Sequence, residues 1–422
     1  MTAIVGVLNK RGIAFAADSA ATHSSNSGQK IANNANKLFA LSKYYPIGIA
    51  LYNNLDFMGI PWDTIIKLYR DNLGRTHYKT LTEYVDSFWK YVRSNFPPKG
   101  IQEWFVDLIV ESYHNEIHEL YKEILANSKE EAVVDKYIQE FYSKLEIYKN
   151  IFQGKEKSDE FVGYTIEEFK EHKDSINRGL SLVTIHLNYY PIDFKKKLVE
   201  SLYEFLCTKG DTYLSYTGLV FFGYGENELY PSYREYMISC ALDGHFKCAL
   251  NRSGEVTNYN SSIIAPFAQY DVTNTVIRAV EDKLRQKFYD VYKLSLMGFR
   301  EEVAAQLMQA NAPKKVVDII RSLDVDKYAR KYREGMDNYI QKEYIDSLVD
   351  TVSYLSKEDL ADMAESLVRM TSIKRHITDS QETVGGPVDV AVITKGDGFV
   401  WIKRKHYFDP SLNPQFFERY NK

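Results

Sequence analysis

The sequence predicts an α+β fold: two antiparallel sheets packed face to face, with helices on the outside. Three observations point there. Short apolar runs joined by turn residues occur at the start, in the middle and at the end of the chain. Helical periodicity fills separate blocks between them. Strands and helices do not alternate singly, as a parallel βαβ fold would require.

The elements follow in order. Thr2 to Leu8 and Ile13 to Ala17 are short apolar runs linked by Asn9-Lys10-Arg11-Gly12, a hairpin turn cluster. A polar loop rich in Ser, Asn and Gly is expected from His23 to Asn36. Lys37 to Leu41 and Ile47 to Leu51 follow, so the first fifty residues read as four strands of one antiparallel sheet. The period then changes. From Pro61, the residues Trp62, Ile65, Ile66, Leu68 and Tyr69 recur at helical spacing until Gly74. A second helix runs from Thr80, a capping residue with Glu83 three positions on, to Asn95, and Pro97-Pro98 ends it.

A charged, Tyr-rich stretch between Gly100 and Gly210 is helical in period, with segments Trp104–Leu125, Glu130–Phe152, Ile166–Gly179 and Phe194–Cys207 and strand character only at Leu182–Tyr189. Strands return at Tyr216–Gly225, Glu235–Leu242 and Phe246–Leu250. Helices are expected from Val272 to Met370, punctuated at Gly298 and Pro313. Val388–Thr394 and Phe399–Arg404 form a last hairpin around Lys395-Gly396-Asp397-Gly398. The expected division is a core of residues 1–98, 211–290 and 357–405, helical inserts at 99–210 and 291–356, and a tail at 406–422.

Composition narrows the function classes. A chain of 422 residues with 45% hydrophobic content can bury a large core. A net charge of −4 with mixed signs leaves no footprint for nucleic acid or a membrane surface. Three cysteines without metal spacing read as reduced thiols, and together with the lack of a targeting or membrane-spanning stretch they point to a cytoplasmic protein. His114 and His118 are four apart, but Asn115-Glu116-Ile117 between them is not a zinc-protease pattern, so no metal or other cofactor is expected. The Lys195-Lys196-Lys197 run reads as a solvated helix face.

The chemistry concentrates at the beginning. Thr2 becomes the first residue if Met1 is removed, and an N-terminal threonine carries a hydroxyl nucleophile and an amine base on one residue. Asp18 closes the second apolar run, and Lys37 opens the next, in Asn36-Lys37-Leu38-Phe39. Thr2 alone is an ordinary strand former. A charged residue flanking each of two apolar strands favours chemistry.

These blocks resemble the N-terminal nucleophile hydrolases, and within them the proteasome β subunits and the bacterial HslV peptidase. The likeness lies in Thr2-Ala3-Ile4-Val5-Gly6-Val7, Gly12–Ser19 with Asp18 sixteen residues after Thr2, Asn36–Phe39, Phe222-Gly223-Tyr224-Gly225 and Val384-Gly385-Gly386-Pro387-Val388-Asp389-Val390. It implies a four-layer αββα sandwich and a threonine-type peptidase or amidohydrolase acting on peptide bonds. Thr2 is then nucleophile and, through its amine (unperturbed pKa about 7.7 to 8.0), general base. Lys37 would favour the neutral amine and the developing alkoxide, and Asp18 would hold Lys37 charged and oriented. The backbone near Tyr52, with Ala50 and Ala21, falls at the oxyanion donor and pocket. The sequence departs from the pattern at Tyr52, where glycine is usual, at Ala20, where arginine is usual, and at Ile264–Gln269, where a Ser-Gly turn is expected. Asp379 and Glu382 are the candidates for an auxiliary acid. The resemblance also implies a homo-oligomeric ring acting on peptide or protein substrates and leaves a regulatory ATPase open. Two alternatives stand beside it: a non-catalytic assembly subunit, and an amidase for a small acyl-amide.

Overall fold

The computed structural model describes residues 2–25, 28–126, 143, 145–147, 149–183, 193–208, 215–378, 384–406 and 408–421. The chain forms two compact units, residues 1–38, 228–232 and 254–422 in the first and residues 39–227 and 233–253 in the second. Each contains one five-stranded sheet with helices, so the fold is α+β with two antiparallel sheets.

The first sheet is centred on the N-terminal hairpin. Strands β1 (Ala3–Asn9) and β2 (Gly12–Ala17) pair antiparallel with Ile4 opposite Ala17. The segment expected as a polar loop contains a further hairpin, β3 (Ala21–Ser25) with β4 (Gly28–Ala32). Polar side chains hid it, because a two-stranded ribbon needs no buried face to give an alternating pattern.

Beyond β1 the sheet continues into a strand that the sequence analysis did not contain, β12 (Ser262–Ala268), which runs antiparallel with Ala3 opposite Ala268 and Asn9 opposite Ser262. Pro266 masked it. Proline is tolerated on an edge strand, and β12 is the edge. On the other side of β2 lie β13 (Asp389–Thr394) and β14 (Gly398–Lys403), the expected late hairpin.

Helices Ser347–Tyr354 and Lys357–Ile377 cover one face of this sheet. Small side chains let them close on it: Ala3, Ala14 and Ala16 from the strands meet Ala361 and Ala364, with Val5, Val7, Val390, Val392 and Leu360 filling the layer. Ser356 starts the longer helix through a reciprocal cap with Asp359. The same unit carries helices Asp282–Gln309, Lys314–Arg321 and Val325–Ile340. Gly298 does not interrupt the first of these.

The second sheet has the order β11 (His245–Glu255), β10 (Ser232–Leu242), β9 (Thr217–Gly223), β6 (Ile47–Asn53), β5 (Leu38–Ala40). The first fifty residues therefore divide among three sheets, with β1 and β2 in the first, β5 and β6 in the second, and β3 and β4 in a two-stranded ribbon of their own. Hairpin-like links specify adjacency in sequence, not membership of a sheet.

Helix Trp62–Leu73 ends at Gly74 as expected, and helix Leu81–Asn95 begins where the Thr80 hydroxyl accepts the Glu83 N–H at 3.2 Å. Together they bury Trp62, Ile66, Tyr69, Phe88 and Trp89 in a core that includes Leu51 and Phe221. Phe88 and Phe221 meet edge to face at 5.1 Å. The Tyr-rich block supplies helices Lys99–Ala126, Lys173–Val183 and Phe194–Cys207 to the same unit. Leu182 and Val183 are helical, not strand. Residues 184–192, with the rest of that expected strand, and residues 127–142, with most of the expected Glu130–Phe152 helix, lie outside the described residues. Among the described residues no helix is long and apolar enough to cross a membrane.

Candidate active site

β2 ends at Ala17, and Asp18 turns back onto the start of β1. The Asp18 N–H donates to the Ala3 carbonyl at 3.1 Å, and Asp18 Oδ1 accepts the Ala3 N–H at 2.9 Å. This two-way clasp holds the backbone of the residue that follows Thr2. Asp18 Oδ1 also accepts from Lys37 Nζ at 2.7 Å. Asp18 Oδ2 accepts two further backbone N–H groups, from Ala20 and Gly385, each at 3.2 Å. Lys37 Nζ in turn donates to the Ala20 carbonyl.

The pair is shut away from water. Asp18 and Lys37 are each 1% exposed, and Thr2 is 3% exposed. A buried ion pair survives only when the remaining lone pairs are satisfied, which the three backbone donors on Asp18 achieve. Burial pulls the Lys37 ammonium below its ordinary value of 10.5, with Asp18 acting against that pull as the principal opposing charge. Burial wins, so Lys37 gives up its proton more readily than a surface lysine.

The segment after the longer helix completes the support. Ser19 N–H donates to the Gly385 carbonyl at 3.1 Å, the Ser19 hydroxyl donates to the Pro387 carbonyl, and Ala35 N–H donates to the Ser19 carbonyl at 3.0 Å. Gly386 adopts φ +75°, and a Cβ there would stand 2.9 Å from Asn33 Cβ. The Gly-Gly step thus lets the chain close on Asp18. Ala20, at the position where the resemblance has arginine, acts through its backbone on both Asp18 and Lys37.

The other candidates fall differently. Ala21 opens β3, opposite Ala32. Ala50 and Tyr52 belong to β6 in the second unit, opposite Val220 and Gly218. The Tyr52 ring lies over Gly218, where a Cβ would come within 2.0 Å of the ring, and its hydroxyl donates to Glu235 Oε1 at 2.8 Å. Burial and then Glu235 push the Tyr52 phenol well above its usual pKa. Glu235 also accepts from Asn251 at 2.7 Å and from Arg252 at 2.7 Å and 3.2 Å. The Ile264–Gln269 region is edge strand β12, and Gln269 accepts from Arg375 at 2.6 Å. Asp379 and Glu382 lie outside the described residues, and His114 and His118 lie on helix Lys99–Ala126 with side chains outside the described set.

Two charged residues near the pair were missed. Asp389 opens β13 and is 3% exposed, and both its oxygens are taken by Lys405, Oδ1 from the backbone N–H at 2.9 Å and Oδ2 from Nζ. Both act electrostatically on Lys37. The available signal was a lone carboxylate at the head of an otherwise apolar strand.

No family model matches the chain, and no curated protein does. Among solved structures, an Anbu (Gly-1) mutant from Hyphomicrobium sp. strain MC1 aligns at 10% identity over 100% of this chain and 97% of that one, with a TM-score of 0.30. Anbu (ancestral beta-subunit) from Yersinia bercovieri aligns at 8% identity over 99% and 94%, with a TM-score of 0.27. Superposition at this level carries no argument about activity, which has to come from the residues. The resemblance drawn from the sequence, to proteasome β subunits and the HslV peptidase, is corrected accordingly: the two solved chains named above are Anbu chains.

Proposed function

We propose that this chain is a threonine-type amidohydrolase with Thr2 as nucleophile, acting on peptide bonds. The observation that carries the reading is the clasp at Asp18: one carboxylate oxygen accepts both the Ala3 N–H and the Lys37 ammonium, so a buried cation is tied to the residue next to Thr2. The reading requires a free Thr2 amine, hence removal of whatever precedes it. The Thr2 hydroxyl then attacks the amide carbonyl while its proton passes to the Thr2 amine, and the amine returns that proton to the departing nitrogen. Water afterwards cleaves the ester. Asp18 and the Ala20 carbonyl engage two of the three N–H donors of Lys37, and this reading requires the third at the Thr2 oxygen. A positive charge there favours the neutral amine and the developing alkoxide.

This reading keeps the four-layer αββα sandwich as its expected architecture and a homo-oligomeric ring as its expected assembly. Self-association is supported by the exposed Leu284, Phe288, Val291, Leu294 and Phe299 of helix Asp282–Gln309. The rival assembly-subunit reading is favoured by one observation, that β12 occupies the region where an accessory Ser-Gly turn was expected.

Intact mass and labelling by a threonine-directed electrophile test the proposal. Thr2 is expected at the N-terminus and as the labelled residue, with labelling and hydrolysis lost in Thr2→Ala. Quantitative retention of a residue before Thr2, or a free Thr2 that no electrophile modifies, would sink it.

A further inference from the structure

Ala3 turns both of its backbone groups to Asp18: its carbonyl accepts the Asp18 N–H, and its own N–H donates to Asp18 Oδ1. Along an extended strand the N–H and C=O of successive residues turn to opposite sides. Ile4 therefore presents its two groups to β12, where it stands opposite Phe267. The same alternation, carried one residue back, turns the backbone nitrogen of Thr2 to the β12 side as well. The atom that becomes the Thr2 amine thus faces the end of β12, just past Ala268, the partner of Ala3. At that end the ladder stops. Ala268 takes φ +66°, a left-handed conformation that an alanine holds only where its surroundings impose it. The two residues that follow within the turn are gripped by one side chain. Gln269 is 8% exposed, and its side-chain oxygen accepts the Arg375 Nε–H at 2.6 Å. Arg375 Nη2 donates to Asp271 Oδ1, also at 2.6 Å, where helix Asp271–Arg278 begins. Arg375 stands in the last turn of helix Lys357–Ile377, which packs on β1 and β2. A guanidinium only donates, and its planar fork holds two acceptors at a fixed spacing.

We propose that Arg375 is a positioning residue for the Thr2 amine: by gripping Gln269 and Asp271 it fixes the end of β12, and with it the backbone that the Thr2 nitrogen faces. The inference rests on the role given above to Thr2 and adds a second hold on its neighbour. Asp18 secures Ala3 from the β2 side, and the clamped end of β12 secures it from the other. Removing Arg375 does not strand Asp271, because Lys374 Nζ lies 3.6 Å from its second oxygen. The Arg375 side chain is 20% exposed and outside the apolar layer under the sheet, so its loss opens no core cavity. An ion pair that merely joined two helix ends would lower stability and leave the Thr2 end of the ladder as it was.

The test compares Arg375→Met, Arg375→Lys and Gln269→Ala with the parent, each as the full chain, by amide hydrogen exchange. In Arg375→Met, exchange should quicken roughly tenfold or more at Ile4, beside the clamp, and stay as in the parent at Leu8, at the far end of the same ladder. Arg375→Lys keeps a charge beside Asp271 but has no fork to span both acceptors, so it should behave at Ile4 like Arg375→Met. Gln269→Ala should do the same. Exchange unchanged at Ile4, or quickened equally at Ile4 and Leu8, overturns the proposal. If Arg375→Met does not fold, Arg375→Lys and Gln269→Ala decide by the same criterion. Labelling of Thr2 by a threonine-directed electrophile, taken per folded molecule, should fall by roughly 10²-fold in Arg375→Met and in Gln269→Ala, with no further fall in the double variant. Labelling at the parent rate in a chain whose Ile4 exchange has quickened overturns the link to the Thr2 amine. A parent chain whose free Thr2 reacts with no electrophile overturns the hydrolase reading, and the exchange result then decides by itself whether Arg375 holds the end of the strand.

Discussion

Asp18 in the first unit and Glu235 in the second are buried carboxylates in hydrogen-bonded clusters, and the two clusters are closed in different ways. Asp18 is satisfied largely by backbone N–H groups, and both it and its cation are 1% exposed. Glu235 is satisfied by side chains, from Tyr52, Asn251 and Arg252, and the Arg252 side chain remains 40% exposed. The second cluster can relax: if its carboxylate is lost, the guanidinium turns to water. The first is held more firmly, because Lys37 is itself only 1% exposed. A buried charge held by backbone that the strands themselves position is an arrangement suited to chemistry. A buried charge with one partner at the surface is an arrangement suited to tying strands together.

Substitutions should separate the two. The largest effect is expected at Lys37→Ala, which should lower hydrolysis of a peptide or acyl-amide substrate by about 10³-fold or more, as loss of one member of a unit acting together does. Turnover within tenfold of the parent would break the comparison at its root. Asp18→Ala should come next in stability, costing about 3–5 kcal/mol in denaturant unfolding because it strands a buried ammonium. Glu235→Ala should cost less, about 1–3 kcal/mol, since Arg252 can rehydrate, and turnover per folded molecule should stay unchanged. An equal loss of stability in both would show that escape to solvent does not matter. Gly218→Ala drives a Cβ into the Tyr52 ring and should cost about 1–3 kcal/mol through overpacking, again without a change in turnover.

The smallest effect is one of pH. Lys37 titrates below 10.5 because burial outweighs Asp18, so a rate that needs the charged form should decline on the alkaline side before pH 10.5. The stability linkage has the opposite sense. Between the lowered folded value and 10.5 the unfolded chain binds the extra proton, so the contribution of Lys37 to stability grows with pH through that window and is lost as pH falls through the folded value. A pH–rate profile measured beside denaturant midpoints should therefore show activity falling while this term rises. Lys37→Arg, which stays charged, should remove the alkaline fall in any activity it retains.

Much of the candidate site was legible before any coordinates. Thr2, Asp18 and Lys37 sit at the ends of apolar runs, and the Asn9–Gly12 turn determines that Ala17 comes back beside Ile4. The capping pair at Thr80 and Glu83 and the Lys395–Gly398 hairpin were equally local and equally clear. The β12 partner of β1 was not. It joins residues more than two hundred and fifty positions apart, and its Pro266 argues against a strand unless its edge position is known. The destination of Tyr52 was hidden for a related reason, since its hydroxyl meets Glu235 across a sheet whose strand order skips along the chain.

What the chain determined by itself is whatever depends on neighbours in sequence: the hairpins, the helix starts and stops, the chemistry available at Thr2 and the charged residues that flank its strands. Spacing and side-chain type carry that information because local hydrogen bonds and periodic burial are short-ranged. Tertiary structure alone decided how those charges are satisfied, through the Gly385 N–H on Asp18, the Lys405 clamp on Asp389 and the depth at which Lys37 lies. Desolvation and Coulomb energy depend on distance through space, and no periodicity in a sequence records that distance.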